Sequence, residues 1–327
     1  MIRPAFLDRF PATPPRLMRV LSIAAVVAQA GIAVTGSVVR VTGSGLGCPE
    51  WPNCFPGSLT PDSRFDVAPL HQWVEFSNRM LTGVVSAVTI ACLLAALLAT
   101  HRQRLVRLSV AMLGGVAAQA VLGGITVLLG LSWWSVAPHF LVSMVLVWVA
   151  VLLARTAGDA MDPDPTPTAP VLPRAARALL LLCIATLSAV LIAGTLVTSA
   201  GPHAGDAKTP RLELPVPALA QLHGDLLIGF LGLLVGFGFL LGAVGASARV
   251  YRRYWVLVAV VLAQGLLGAV QYVLGVPEVL VSLHVLGACL VTAAAAALWA
   301  VTNPRTAQPG MPSGRTTPQE APATATA

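Results

Sequence analysis

The sequence predicts an all-α polytopic membrane protein, with eight transmembrane helices arranged as two four-helix repeats. Three observations support this fold class. Of the 327 residues, 56% are apolar and 10% are charged, whereas a soluble domain carries about 25% charged residues. Apolar runs recur along the chain, and a run of about 20 residues crosses a bilayer as a helix. The third observation is an internal repeat that relates the two halves of the sequence.

Eight apolar runs mark the expected transmembrane helices. They lie at residues 20–39, 72–99, 108–130, 136–154, 178–200, 218–244, 254–274 and 279–301. No small-residue cleavage site closes the first run, and its upstream segment is rich in proline and arginine, so a cleavable signal peptide is not predicted.

These runs divide the chain into five parts. They are an N-terminal segment (1–19), an N-terminal half (20–154), a linker (155–177), a C-terminal half (178–301) and a tail (302–327). The tail is rich in Pro, Thr, Ala and Gly with few large apolar side chains, a composition that predicts disorder.

The basic residues indicate the orientation of the chain. If eight helices alternate, fifteen of the twenty Lys and Arg residues fall on one side of the membrane. The other side carries Arg40, Arg64, Lys208 and Arg211. The positive-inside rule then predicts a multi-pass protein of the cell (plasma) membrane with both termini in the cytoplasm. Because the charges do not cluster on one folded surface, nucleic acid is not an expected partner.

An internal repeat relates the two halves. Residues 118–139 align without a gap onto residues 263–284, at an offset of 145. The identical pairs are Gln119 with Gln264, Gly123 with Gly268, Gly130 with Gly275 and His139 with His284. An even number of helices per half gives both halves the same orientation, so a pseudo-twofold axis along the membrane normal is expected.

Four of the six histidines lie on the four helices expected to run from outside to inside: His71, His139, His223 and His284. An ionisable residue within a span usually marks a functional site, although an interhelical hydrogen bond is the structural alternative. Zinc or copper sites need three or four converging ligands. A pair of imidazoles across an apolar slot suits six-coordinate haem iron instead. The similar depth of His223 and His284 therefore predicts a haem site.

The two halves differ in helix two. At the offset of 145, His223 corresponds to Asn78, and His71 lies two helical turns closer to the outer end. Glu75 shares a helix face with both His71 and Asn78. Glu75 and Arg79 are spaced to neutralise each other, which is the structural alternative to a catalytic carboxylate. We therefore expect a fixed cofactor in the second half and the reaction in the first.

The first outer loop contains the segment CPEWPNC, with Cys48 and Cys54 on the side expected to be oxidising. A disulfide is plausible there, and both a structural staple and a redox role are compatible with it. The spacing differs from the C-x-x-C-H motif of covalent haem attachment.

Over residues 20–301 the sequence resembles the haem A synthase family. The resemblance is carried by VTGSGLGCPEWPNC in the first loop, by EFSNR (75–79) and by the histidines at 139, 223 and 284. It implies haem b in the C-terminal half, ligated by His223 and His284. It also implies that haem O binds in the N-terminal half, where its C8 methyl group is oxidised to a formyl group. His139 would then be an axial ligand of that substrate haem, and Glu75 the essential carboxylate.

The chain departs from the family pattern at one position. Many members have Glu-x-x-His-Arg in helix two, where this sequence has Glu75, Asn78 and Arg79. Either His71 supplies the second ligand of the substrate haem, or its iron is five-coordinate.

The resemblance also implies haem O synthase and cytochrome oxidase assembly factors as neighbours, with a quinone or another electron acceptor. Two alternatives stay open: a quinol-linked dihaem electron-transfer protein, and a transporter built from two parallel repeats.

Overall fold

The computed structural model describes residues 10–100, 103–159 and 172–302, and within these ranges the regular structure is helical. Its eight helices are α1 (Pro15–Val41), α2 (Pro69–Leu98), α3 (Gln103–Leu128), α4 (Trp133–Asp159), α5 (Arg174–Ala200), α6 (Val216–Ala243), α7 (Ala248–Val273) and α8 (Glu278–Thr302). Each is long and apolar enough to cross a membrane. The predicted eight-helix fold class is confirmed. Residues 1–9, most of the predicted linker and the tail beyond residue 302 lie outside the described residues.

The helices extend past the apolar runs that predicted them. α1 begins at Pro15, α4 ends at Asp159 and α7 begins at Ala248. The hydrocarbon core is about 30 Å thick, so a helix of 26 or 27 residues continues into the polar interface. Proline in the first turn of α1, α2 and α6 starts these helices without losing a hydrogen bond.

The two halves pack differently. In the first half, α1 packs against α2 and α4, and α3 packs against α4. In the second half, α5 pairs with α6 and α7 with α8, but the contacts between α6 and α7 and between α5 and α8 are sparse. A large apolar cluster that includes Leu187, Phe230, Leu257 and Leu298 joins these four helices. The halves meet along α1, α4 and α8.

The α3–α4 and α7–α8 turns have the same geometry. Gly130 and Leu131 have φ of 61° and 59°, and the equivalent Gly275 and Val276 have 75° and 63°. The Leu131 N–H donates to Thr126 O (2.9 Å) and the Val276 N–H to Gln271 O (2.8 Å). Both turns are therefore Schellman-type helix ends, at positions that the sequence repeat aligns. The symmetry axis itself stays a prediction.

The four loops between α1–α2, α3–α4, α5–α6 and α7–α8 share one end of the bundle, called the outer end below. The α5–α6 loop links the other three. The Gly45 N–H donates to Gly205 O (2.8 Å), Thr209 Oγ1 lies 3.5 Å from Gly130 O, and His203 Nε2 lies 2.9 Å from Val276 O. The outer ends of both halves are thereby joined.

Candidate functional site

His223 of α6 and His284 of α8 face each other. Their ring centroids are 6.4 Å apart, with an interplanar angle of 61°. Two metal–nitrogen bonds of about 2 Å and two ring radii of about 1.1 Å add up to nearly the same separation. One metal ion therefore fits between the two imidazoles. Both side chains are half-buried, and they lie in the outer part of helices whose buried residues are mostly apolar.

The ring nitrogens of the three histidines differ in their contacts. His223 Nδ1 donates to the Val190 carbonyl (2.9 Å), which leaves Nε2 unprotonated as a possible ligand. Among the residues that the structure describes, the Nδ1 atoms of His284 and His139 are buried without a partner. The Nε2 atoms of these two rings are not among the buried unpaired atoms. The open side of each ring is therefore its Nε2 side.

Each of these histidines packs against a glycine on a neighbouring helix. A Cβ added to Gly194 would lie 3.1 Å from His223 Cε1, and one on Gly268 would lie 2.9 Å from His284 Cε1. The corresponding distance from Gly123 to His139 Cε1 is 3.3 Å. A larger residue at any of these three glycines would crowd the histidine ring opposite it.

His139 and His284 are held by equivalent glutamines. Gln119 Nε2 donates to the His139 carbonyl (2.9 Å), and Gln264 Nε2 donates to the His284 carbonyl (2.8 Å). These are the two pairs that the sequence repeat aligned. The positions of the two histidines are therefore matched in hydrogen bonding as well as in sequence.

Asn78 occupies the first-half position that corresponds to His223. Its Oδ1 accepts a hydrogen bond from Thr35 Oγ1 (2.6 Å). A Cβ on Gly36 would lie 4.0 Å from Asn78 Nδ2. Gly36 therefore stands to Asn78 as Gly194 stands to His223, but the contact is looser because an amide is smaller than an imidazole.

Glu75 is buried and forms an ion pair with Arg79, with Oε1 2.6 Å from Arg79 Nη2. Its Oε2 accepts the Cys48 backbone N–H (2.7 Å). Arg79 also donates to the carbonyl oxygens of Cys48, Glu50 and Asn53 at 2.9–3.0 Å. The neutralising pair considered from the sequence is present, and it fastens the first outer loop to α2.

The structure places His71 at the outer end of α2, where its Nδ1 lies 2.9 Å from the Oγ of buried Ser44. A Cβ on Gly47 would overlap the His71 carbonyl group, so the loop backbone passes directly over this turn. His71 is thus in contact with the loop, two turns from Asn78.

Cys48 and Cys54 form a disulfide, which confirms the predicted pairing. The disulfide is buried with Phe55, next to Phe65 and Phe76.

Within residues 10–100, 103–159 and 172–302, no three His, Cys, Asp or Glu residues converge as a metal-ion site would require.

Two features of the site were not anticipated from the sequence. One is the glycine opposite each histidine. The alignment of Gly123 with Gly268 in the sequence repeat is the signal that could have indicated it. The other is the loop anchoring by Arg79, which no spacing rule signals because the acceptors are backbone carbonyls of a loop.

Comparison with known proteins relates the sequence to one family. Residues 19–208 match the sequence profile of the family described as COX15-CtaA, cytochrome oxidase assembly protein. The haem A synthase of Alkalihalophilus pseudofirmus (strain ATCC BAA-2126 / JCM 17055 / OF4) is 28% identical over 271 residues, which cover 78% of this chain and 86% of that protein. The haem A synthase of Lysinibacillus sphaericus (strain C3-41) is 34% identical over 145 residues. That second alignment covers 42% of this chain and 44% of the relative, less than half the length of each.

Proposed function

Since this chain belongs to the COX15-CtaA family of cytochrome oxidase assembly proteins, we propose that it is a haem A synthase, a membrane oxidoreductase that converts the C8 methyl group of haem O into the formyl group of haem A. The observation that carries the proposal is the asymmetry of the two halves. One half has a facing pair of histidines, and the other has a single histidine and a buried carboxylate in the equivalent region.

In the second half, His223 and His284 would hold haem b. The hydrogen bond from His223 Nδ1 to Val190 fixes the tautomer that binds iron through Nε2. Bound there, haem b would supply electron transfer between the substrate and an external acceptor such as a quinone.

In the first half, His139 would be the single protein ligand of the substrate haem O. His71 is engaged with Ser44 in the loop, and Asn78 stands where the second histidine would be needed. We favour the five-coordinate alternative for this reason. His71 then acts as a positioning residue for the loop.

Glu75 would be the catalytic carboxylate. A carboxylate offers about four lone-pair sites, and the contacts of Glu75 with Arg79 and with the backbone N–H groups of Cys48 and Gly47 leave capacity for one further hydrogen bond. With Arg79 to balance its charge, Glu75 could accept the proton released as the methyl C–H electrons pass to the acceptor, with water supplying the oxygen atom of the formyl group.

The orientation and domain division are part of the same proposal. By the charge asymmetry, both termini would lie in the cytoplasm and the disulfide loop outside the cell membrane. Residues 20–154 then form the substrate half and residues 178–301 the haem b half. Haem O synthase and oxidase assembly factors are the expected neighbours.

The proposal is tested by purifying the protein in detergent, extracting its haems and separating them by type. Haem b together with haem O or haem A supports the synthase. Haem b alone, with no conversion when haem O is added, would favour the dihaem-type electron-transfer alternative. A protein free of haem, from cells well supplied with it, would overturn the assignment of the histidines.

Replacing Asn78 with His should give the substrate haem a second axial ligand. Gly36 leaves the room that Gly194 gives to His223, so the new imidazole can reach the iron. We expect the first-half haem to change from a high-spin, carbon monoxide-binding spectrum to a low-spin one that no longer binds carbon monoxide. Ser77→His, at an exposed neighbouring position, should change neither the spin state of the first-half haem nor its binding of carbon monoxide. A wild-type first-half haem that is already low-spin would contradict this assignment.

A further inference from the structure

Arg40 is a half-buried arginine at the outer end of α1. Among the described residues, its guanidinium group has no hydrogen-bond partner and no carboxylate partner. The charge that acts on it is the like charge of Arg211. A guanidinium group offers five N–H donors, and a partly buried charge without a partner is costly. Two neighbouring cations without an acid between them indicate a place for an anion.

The position of Arg40 relates it to the first-half site. It lies four residues after Gly36, and side chains four apart share a helix face. Gly36 faces Asn78. Arg40 is therefore one turn, about 5 Å, outward of the first-half position that corresponds to His223. Its Cγ lies 3.6 Å from where a Cβ on Gly205 would be, against the α5–α6 loop.

Arg211 reaches this region from the α5–α6 loop. Its guanidinium donates to the carbonyl of Gly201 (2.5 Å) and to that of Pro202. Burial lowers the pKa of Arg211 from its ordinary value. In the second half, the residue four positions after Gly194 is Thr198. The position on α5 that corresponds to Arg40 is therefore uncharged. The cationic pair belongs to the first half.

We propose that Arg40, with Arg211 beside it, is a carboxylate-binding subsite for a propionate group of the haem held in the first half. This inference rests on the proposed function, in which that haem is haem O. A guanidinium binds a carboxylate through two parallel hydrogen bonds, and arginine is better suited to this than lysine because its donors form a rigid fork.

The subsite would set the orientation of the substrate. The two propionates of a haem occupy one edge of the ring, and the C8 methyl group is next to a propionate-bearing carbon. Holding that edge at Arg40 places the methyl group toward the outer end of the site. Glu75 lies on α2 one turn outward of Asn78, at the level where the methyl group would be. Arg40 is thus a positioning residue for the oxidised carbon.

The test compares the binding of haemin and of its dimethyl ester to the purified holoprotein, whose second half already holds haem b. Binding is followed by the absorbance change that His139→Ala abolishes. We expect the wild type to prefer the free acid by about tenfold or more, as hydrogen bonds to charged groups imply. Arg40→Gln should remove the preference and Arg40→Lys should restore part of it. The control is Arg64→Gln, which removes an exposed arginine paired with Asp62 on the same side.

The outcomes separate the two proposals. An equal preference in the wild type and in Arg40→Gln, with haem b content unchanged, would overturn the subsite and leave the proposed function intact. A preference that depends on Arg40, in a protein that never converts haem O, would support the subsite and overturn the synthase. Failure of any haem to bind the first half would overturn both.

Discussion

Replacing His284 with Ala should remove haem b from the second half while leaving the protein folded in the membrane. His284 supplies one of two facing imidazoles whose centroids are 6.4 Å apart. Losing a ligand should lower haem affinity by more than about 100-fold, since changes outside the ligand set alone cost about 10- to 100-fold. The measurement is haem b content per protein, together with the low-spin absorbance of the reduced sample.

The matched control for His284→Ala is His203→Ala. His203 is a histidine of the α5–α6 loop whose ring contacts a backbone carbonyl, that of Val276. Its variant should retain wild-type haem b. His223→Ala should behave as His284→Ala does, because we propose that the two neighbouring rings hold the same haem. An unchanged low-spin spectrum in either variant would refute the proposed ligation.

Replacing Glu75 with Gln should abolish conversion of haem O while haem b stays bound. Proton transfer by a positioned group contributes about 10²- to 10⁴-fold, and the amide cannot accept a proton from the substrate. The uncharged side chain also leaves Arg79 without its anionic partner. The measurement is the rate of haem A formation by detergent-purified protein supplied with haem O, with haem b quantified in the same samples.

Arg79→Lys separates catalysis from anchoring in the Glu75 experiment. Lysine keeps a positive charge beside Glu75, but it lacks the fork of donors by which Arg79 holds three carbonyl oxygens of the loop. We expect a smaller fall in activity than for Glu75→Gln. Equal losses in the two variants would contradict a role for the Glu75 carboxylate beyond fastening the loop. Glu50→Gln, which keeps its backbone carbonyl, should retain activity.

Much of the fold could be predicted from the sequence because a bilayer leaves few choices. Apolar runs must form helices that satisfy their own backbone hydrogen bonds, so eight runs became eight helices. The ungapped repeat placed Gln119 and Gln264 in equivalent contacts with His139 and His284. Helix ends were less predictable, because polar residues at the interface continue a helix as easily as they end it.

In the site, only contacts between side chains on helices could be predicted from the sequence. The pairing of His223 with His284 followed from their equal depth, and Glu75 with Arg79 from their spacing. The contacts of the loop with α2 could not be derived, because they depend on the path of a loop backbone. Trp51, for example, packs so closely against Gly124 that a Cβ at that position would overlap its indole ring. No local pattern encodes such a contact between distant segments.

The glycine opposite Asn78 has an evolutionary consequence. The codons of asparagine and histidine differ by a single base, and the room for an imidazole persists beside Gly36. A single base change is thus enough to place an imidazole opposite Gly36, at the first-half position that corresponds to His223.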